Sequence, residues 1–331
     1  MRRVGSYAAV GALAVGSVAV VLGLTALNTT SGPWTAGLDA LSAFVTTFLS
    51  IFIEAAPFLL LGTTASGLVE VFVSRDQVER WTPRGPVGGA LAGALLGLCL
   101  PVGECGVAPL TRRLFRKGLP PPVGVAFWLG APVINPVVIA STMAAFGAGR
   151  VLALRLGLTV LIAVMTGLVF AAERRPERLL RTTAEPPRVE ARAPWRAEAR
   201  RALVMAMDEF FELGRYLVAG GLLAALAQTA IPQVWLTTQG AGPVSSVAAA
   251  MTLAGIRSGG ATVDAFSALG LAGTFTPGAI LAFLVSGPMV DIKNTLLLLG
   301  VFRQRAAARL VLLPLLMALE LGVAINLGAP R

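Results

Sequence analysis

Between Arg84 and Arg112 the chain reads GPVGGALAGALLGLCLPVGECGVAPLT, residues 85–111, with Glu104 its one charge. A membrane helix needs about 20 mostly apolar residues. These 27 are too few for two full crossings. Basic clusters stand at both ends, Arg75/Arg80/Arg84 before and Arg112/Arg113/Arg116/Lys117 after. Lys and Arg concentrate on the cytoplasmic side of a membrane protein, so both ends are expected inside. The segment then enters and returns as a re-entrant hairpin, two half-helices with a break between them. Pro101-Val102-Gly103 supplies that break, because Pro and Gly both interrupt a helix. Irregular backbone at membrane depth is tolerated where protein or a water-filled cavity satisfies it.

The rest of the chain fits a bilayer. Of 331 residues, 56% are hydrophobic and 13% charged, with mean hydropathy +0.78. Soluble domains carry about a quarter charged residues, so the soluble globular class is excluded. Other long apolar runs are 4–27, 38–73, 119–149, 151–172 (carrying Arg155), 216–256, 258–290 and 310–330. The first follows Arg2 and Arg3. Its apolar core exceeds a signal-peptide h-region and Ala26-Leu27-Asn28 is a poor cleavage site, so residues 1–37 are read as an uncleaved N-terminal anchor helix. Residues 173–201 hold nine arginines, five glutamates and four prolines, the composition of a flexible cytoplasmic linker without a core. They separate two membrane halves, 38–172 and 202–331. With all five basic clusters inside, 21 of the 27 Lys and Arg are accounted for, and Arg150 is the exception at an outer turn. This places the chain in the cell inner membrane, multi-pass, with its N-terminus and linker cytoplasmic.

The halves match at an offset of 156 residues. Ala126-Phe-Trp-Leu-Gly-Ala-Pro132 aligns without a gap with Ala282-Phe-Leu-Val-Ser-Gly-Pro288, and Asn135 aligns with Asp291. The basic clusters place the ends of the first hairpin inside and those of the second, near 243–275, outside. The repeats are therefore expected to be inverted. The fold class is an all-α integral membrane protein: an anchor helix plus two inverted-topology repeats, each with a broken or re-entrant helical hairpin. Such repeats, with paired broken segments, mark secondary transporters that bind substrate near the midplane.

The run Pro101-Val-Gly-Glu-Cys-Gly-Val-Ala-Pro-Leu110, then Lys117-Gly-Leu-Pro120, Pro132-Val-Ile-Asn-Pro136 and Ser286-Gly-Pro-Met-Val-Asp-Ile-Lys-Asn294, resembles the ArsP-type predicted permease family over residues 45–325. The resemblance implies a polytopic permease similar to efflux permeases for trivalent organoarsenicals. Two motifs depart from that pattern. The family's C-x-C-G has Gly103 at its first position, leaving Cys105. Its C-S-E-A-D-A-F is replaced by Gly260-Ala-Thr-Val-Asp-Ala-Phe266. Paired thiolates are the natural soft ligands for a thiophilic metalloid, and one thiol cannot chelate.

Ionisable groups at bilayer depth are functional candidates by default. The substrate or ion pathway is expected to include Glu104, Cys105, Asn135, Arg257, Asp264 and Asp291. Glu104 and Cys105 follow the first break, where the alternative for Glu104 is to cap the helix end. Asp264 follows the Ser258-Gly259-Gly260 break. Arg257 either binds an anion or neutralises Glu104 or Asp264. Glu54 is a further candidate, with an interfacial position as its alternative. Asp208, Glu209 and Glu212 are read as a solvated amphipathic face, and Cys99 as a core thiol. Lys293 and Glu320 fall at equal depth on adjacent antiparallel helices and are expected to form a structural ion pair. Asp291 and Lys293, two apart on a helix, would point about 200° from each other.

The chain has no histidine, which removes histidine-based nucleophile systems and metal sites, and no Walker motif. No cofactor, metal or enzymatic activity is expected. The expected partners are the lipid bilayer, a small solute, and a second membrane subunit or further copies of the chain; no nucleic acid is expected. The leading functional reading is a permease coupled to ions through Glu104, Asp264 and Asp291. The second is a non-transporting accessory or scaffold subunit of a membrane complex.

Overall fold

The computed structural model describes residues 12–13, 15–20, 33–83, 85–100, 102–173, 179–181, 195–231 and 238–328. Most of the expected anchor, Arg84, Pro101 and most of the linker lie outside the described residues. The described chain is helical: α1 (Pro33–Phe72), α2 (Arg75–Trp81), α3 (Pro86–Leu95), α4 (Gly103–Arg116), α5 (Pro121–Gly130), α6 (Pro136–Phe146), α7 (Arg150–Val169), α8 (Trp195–Ala230), α9 (Ser245–Arg257), α10 (Ala261–Leu271), α11 (Pro277–Met289), α12 (Ile292–Val301) and α13 (Gln304–Gly328). Five helical stretches among the described residues are long and apolar enough to cross a bilayer: Leu38–Phe72, Arg150–Ala172, Trp195–Ala230, Pro277–Val301 and Gln304–Gly328.

Helix α1 has 40 residues, about 60 Å at 1.5 Å per residue. It packs antiparallel to α8: Gly67 lies against Ala202 near one end, and Gly221 against Phe48 and Ile51 further along. Small residues permit such close approach where lipid supplies no hydrophobic drive between helices.

The short helices explain the break. With 10 and 14 residues, α3 and α4 span about 15 and 21 Å, less than a ~30 Å core. Helix α3 runs side by side with α5 in the same direction, Gly93 meeting Val123 and Gly97 meeting Ala131. The intervening α4 must therefore carry the chain back to the level where α3 began. The same geometry recurs in α9 and α11: the Ser246 and Thr276 hydroxyls meet at 3.0 Å, and Ala254 lies against Gly287. Helix α10 is the return.

Three sequence expectations change here. The stretch read as a flexible linker is helical at its end, because α8 begins at Trp195. The linker is also not free throughout: Leu180 pairs with Phe302 in an isolated β-bridge. Arg181 N–H donates to the Val301 carbonyl and Arg303 N–H to the Leu179 carbonyl, both at 2.9 Å. Leu179 and Leu180 bury their side chains in the core, which a composition average over 29 residues hides. Finally, Cys99 is exposed on the outer face of the α3–α4 segment rather than in the core.

Candidate functional site

Two helix breaks, one from each half, converge on one small cavity. At the first, Gly103 takes φ +26° and opens α4, so Glu104 and Cys105 stand in its first turn. At the second, Ser258 ends α9 with φ 45° and Gly260 precedes α10 with φ +77°. The positive φ favours glycine at 260, and a Cβ there would meet Glu54 Oε1 and displace the end of that side chain. The cavity is about 40 Å³ and is lined by Glu54, Glu104, Cys105, Asn135, Thr262 and Lys293 among others. At roughly 10–15 Å³ per water it has room for about three or four waters.

Lys293 is the centre of the charge arrangement. Its ammonium lies 3.1 Å from Glu104 Oε2 and 3.6 Å from Asp291 Oδ2. It also donates to the Ser258 carbonyl at 3.3 Å. That carbonyl belongs to the second break and Glu104 to the first, so one amine joins both. Lys293 reaches this place because α12 starts hard against α8: a Cβ on Gly220 would meet Lys293 Cα at 2.8 Å. Asp291 and Asn135 each cap the helix that follows. Asn294 N–H donates to Asp291 Oδ1, and Val137 N–H donates to Asn135 Oδ1 at 2.9 Å. The Asn294 amide donates to the Pro288 and Met289 carbonyls freed where α11 ends.

Asp264 is buried against Gly287 of α11. It and the fully buried Arg155 act on each other electrostatically. Arg155 donates to Thr142 Oγ1 and, at 3.3 Å, to the Ala261 carbonyl. Four carboxyl groups (Glu54, Glu104, Asp264, Asp291) thus share this region with two cations, Lys293 and Arg155. The set places several buried ionisable groups within electrostatic reach of one another.

The structure therefore brings together Glu104, Cys105, Asn135, Asp264 and Asp291 with the further candidate Glu54, and adds Lys293 and Arg155. Arg155 carried a signal in the sequence, being the one charge within residues 151–172. Arg257 is not part of the cluster. Among the described residues it makes no ion pair with Glu104 or Asp264, and its carbonyl accepts from the Gln228 amide at 2.7 Å. The expected Lys293–Glu320 pair is corrected: Lys293 is taken by Glu104 and Asp291, and Glu320 is exposed on α13. The residue count that put the two at equal depth did not hold: Gly322, two residues from Glu320, packs against Gly278 at the start of α11, and Glu320 itself is exposed. The expected divergence of Asp291 and Lys293 also fails, since Asp291 is an extended cap (φ −117°, ψ 174°) and helical spacing does not apply to it.

A second charge network lies at the opposite end of α4. Arg112 pairs with Glu212 at 3.0 Å and Glu209 at 3.9 Å; Arg113 pairs with Glu209 and Glu70, each at 3.4 Å. Ser66 donates to Glu209 at 2.6 Å, and Lys117 pairs with Glu70 at 3.7 Å. Glu209 is buried, so the reading of 208–212 as a wholly solvated face holds for exposed Asp208 and fails for Glu209. Arg116, beside this network, has its pKa pushed down to about 10 by burial and then by Arg112 and Arg113. It stays charged at neutral pH.

Long apolar helices, two broken segments and a buried polar site at their junction define a multi-pass membrane protein of the permease class. The chain belongs to the ArsP-type predicted permease family, whose profile matches residues 40–327. It is 40% identical to UPF0718 protein YcgR of Bacillus subtilis over 78% of this chain and 88% of that one. It is 36% identical, over 78% of this chain and 86% of the relative, to a Streptococcus mutans protein named as a candidate subunit of a two-component membrane permease complex. UPF0718 protein YraQ of Escherichia coli is 29% identical over 33% of this chain and 30% of its own length. No solved structure is a significant match.

Proposed function

We propose that the chain is a secondary permease of the cell inner membrane that moves a small solute through a site between two inverted repeats. The observation that carries this reading is the shared cavity: both helix breaks open onto it, and Lys293 ties the carboxylate of one to the carbonyl of the other. The repeat is supported by element order. Pro121 and Pro277 open α5 and α11, Pro136 and Ile292 open α6 and α12, and each pair is 156 positions apart. Inversion is supported by the antiparallel packing of the corresponding helices α1 and α8. The ends of α1 and α4, the start of α8 and the linker then lie in the cytoplasm.

In this reading the ion pairs of Lys293 hold the two breaks together. Uptake of a proton or small cation at Glu104, Asp264 or Asp291 weakens that hold and lets one hairpin move against the other, exposing the cavity to one side at a time. The cavity must widen for any solute larger than a few waters. The test is flux of a substrate panel into proteoliposomes under imposed pH and Na⁺ gradients. Wild type should respond to one gradient, and Glu104→Gln should abolish that response while the protein still purifies as a single folded species. Unchanged flux and pH profile in Glu104→Gln would return Glu104 to a structural role.

The naming of the S. mutans relative favours a second reading, that the chain works as one subunit of a two-part complex or as its scaffold. Flux by the purified chain alone rejects a purely accessory role. Absence of flux, with recovery on adding a co-purifying membrane subunit, would establish it.

A further inference from the structure

Away from the central site, a cavity of about 1050 Å³ opens where the linker returns to the helices. Arg181, Arg215, Arg303, Arg305 and Arg309 line it, with Glu173 the one carboxylate in the wall. The arginines come from three separate places in the chain: the linker, α8, and the junction of α12 with α13. A built element sets their register. The bridge between Leu180 and Phe302 puts Arg181 and Arg303 side by side, with the two backbone hydrogen bonds given above. Side-chain bonds then aim them. Arg181 donates to the Tyr216 hydroxyl at 2.9 Å and the Leu299 carbonyl at 3.2 Å, and Arg303 to the Leu180 carbonyl at 3.2 Å. These acceptors are neutral. Among the described residues Arg181, Arg303, Arg305 and Arg309 form no ion pair within 4 Å, whereas the Arg112–Arg113 pair at the end of α4 is fully matched by carboxylates. The lining also includes apolar Leu296, Leu299 and Ala219.

We infer that this cavity binds a phosphate-bearing anion, presented either as the headgroup of an anionic lipid or as a soluble phosphate. Guanidinium forks match the paired oxygens of phosphate, and several together neutralise its charge. Basic pockets between membrane helices on the cytoplasmic side take anionic headgroups, and the apolar lining suits the start of an acyl chain. Occupancy would fasten the linker to the α12–α13 junction, and α12 carries Lys293. The inference does not rest on the permease reading.

The test uses the full chain. One arm reads lipid retention by native mass spectrometry and thermal midpoint in nanodiscs of phosphatidylglycerol against phosphatidylcholine. The other titrates inorganic phosphate and pyrophosphate by calorimetry in neutral detergent. The variants are Arg303→Gln/Arg305→Gln/Arg309→Gln, with Arg305→Gln alone in case the triple variant does not fold. Arg80→Gln, exposed on α2, is the charge control. The expected result is at least tenfold weaker binding of one anion class in the triple variant, several-fold in Arg305→Gln, and none in the control. A response to phosphatidylglycerol assigns a lipid headgroup, and a response to the soluble anions assigns a soluble phosphate. Binding of neither, or equal losses in Arg80→Gln, would overturn the inference.

Discussion

Lys293→Met removes the one amine that faces both Glu104, at 3.1 Å, and Asp291, at 3.6 Å. All three side chains are buried, with relative exposures of 3–7%. Removing one member of a buried pair typically costs about 3–5 kcal/mol, because the partner is left without a countercharge. Here two carboxylates lose it, so the upper part of that range is expected. At roughly 2 °C per kcal/mol for a chain of this size, the thermal midpoint should fall by roughly 8–10 °C. The loss should be largest at high pH and shrink as pH falls, because protons taken up by the orphaned carboxylates remove the charge that lacks a partner. Glu104→Gln/Lys293→Met should recover part of the loss, while Glu320→Ala, at an exposed position, should stay within about 0.5 kcal/mol of wild type. The assay is fluorescence-detected thermal unfolding in one detergent between pH 5 and 9. A Lys293→Met midpoint equal to wild type, or a double variant no better than the single, would refute the assignment of Lys293 as the bridge.

Glu209→Ala should cost about 3–5 kcal/mol by leaving Arg112 and Arg113 short of a buried carboxylate, against less than about 0.5 kcal/mol for neighbouring Asp208→Ala; the same unfolding assay reads both. Gly260→Ala should lower the yield of folded protein by more than a helix-interior Gly→Ala would, since φ is +77° there and the new Cβ meets Glu54; normal yield and flux would show that the second break is not held against α1. In a background lacking both cysteines, Arg75→Cys and Thr274→Cys should react with impermeant maleimide from opposite faces of oriented vesicles; labelling from one face would remove the inverted-repeat reading.

The helices and their breaks were readable because their signals are local. Gly103 and Gly260 adopt torsions that glycine favours, and Pro121, Pro136 and Pro277 stand at helix starts where a missing N–H costs nothing. The alternation of basic clusters with apolar runs carried the return of α4 in the same way. The linker misled for a related reason: two leucines were enough to dock it, and they were diluted by the arginines and prolines around them.

Which charges meet was not readable, and the cause is specific. Depth along a helix follows from counting residues, but facing follows from rotation and from where each helix begins. Lys293 and Glu320 match in counted depth, yet Glu320 is exposed and nearby Gly322 packs against the start of α11, before the chain reaches Lys293. Asp291 lies two residues from Lys293 and shares its site only because the helix begins after Asp291 rather than before it. Glu209 has Asp208 as its neighbour in sequence, and one lies under Arg113 while the other is in the open. In the last two cases a shift of one residue in a helix start, about 100° of rotation, exchanges a buried partner for an exposed face. A charge in a membrane helix therefore marks a site in the sequence, and the backbone break beside it determines which partner it meets.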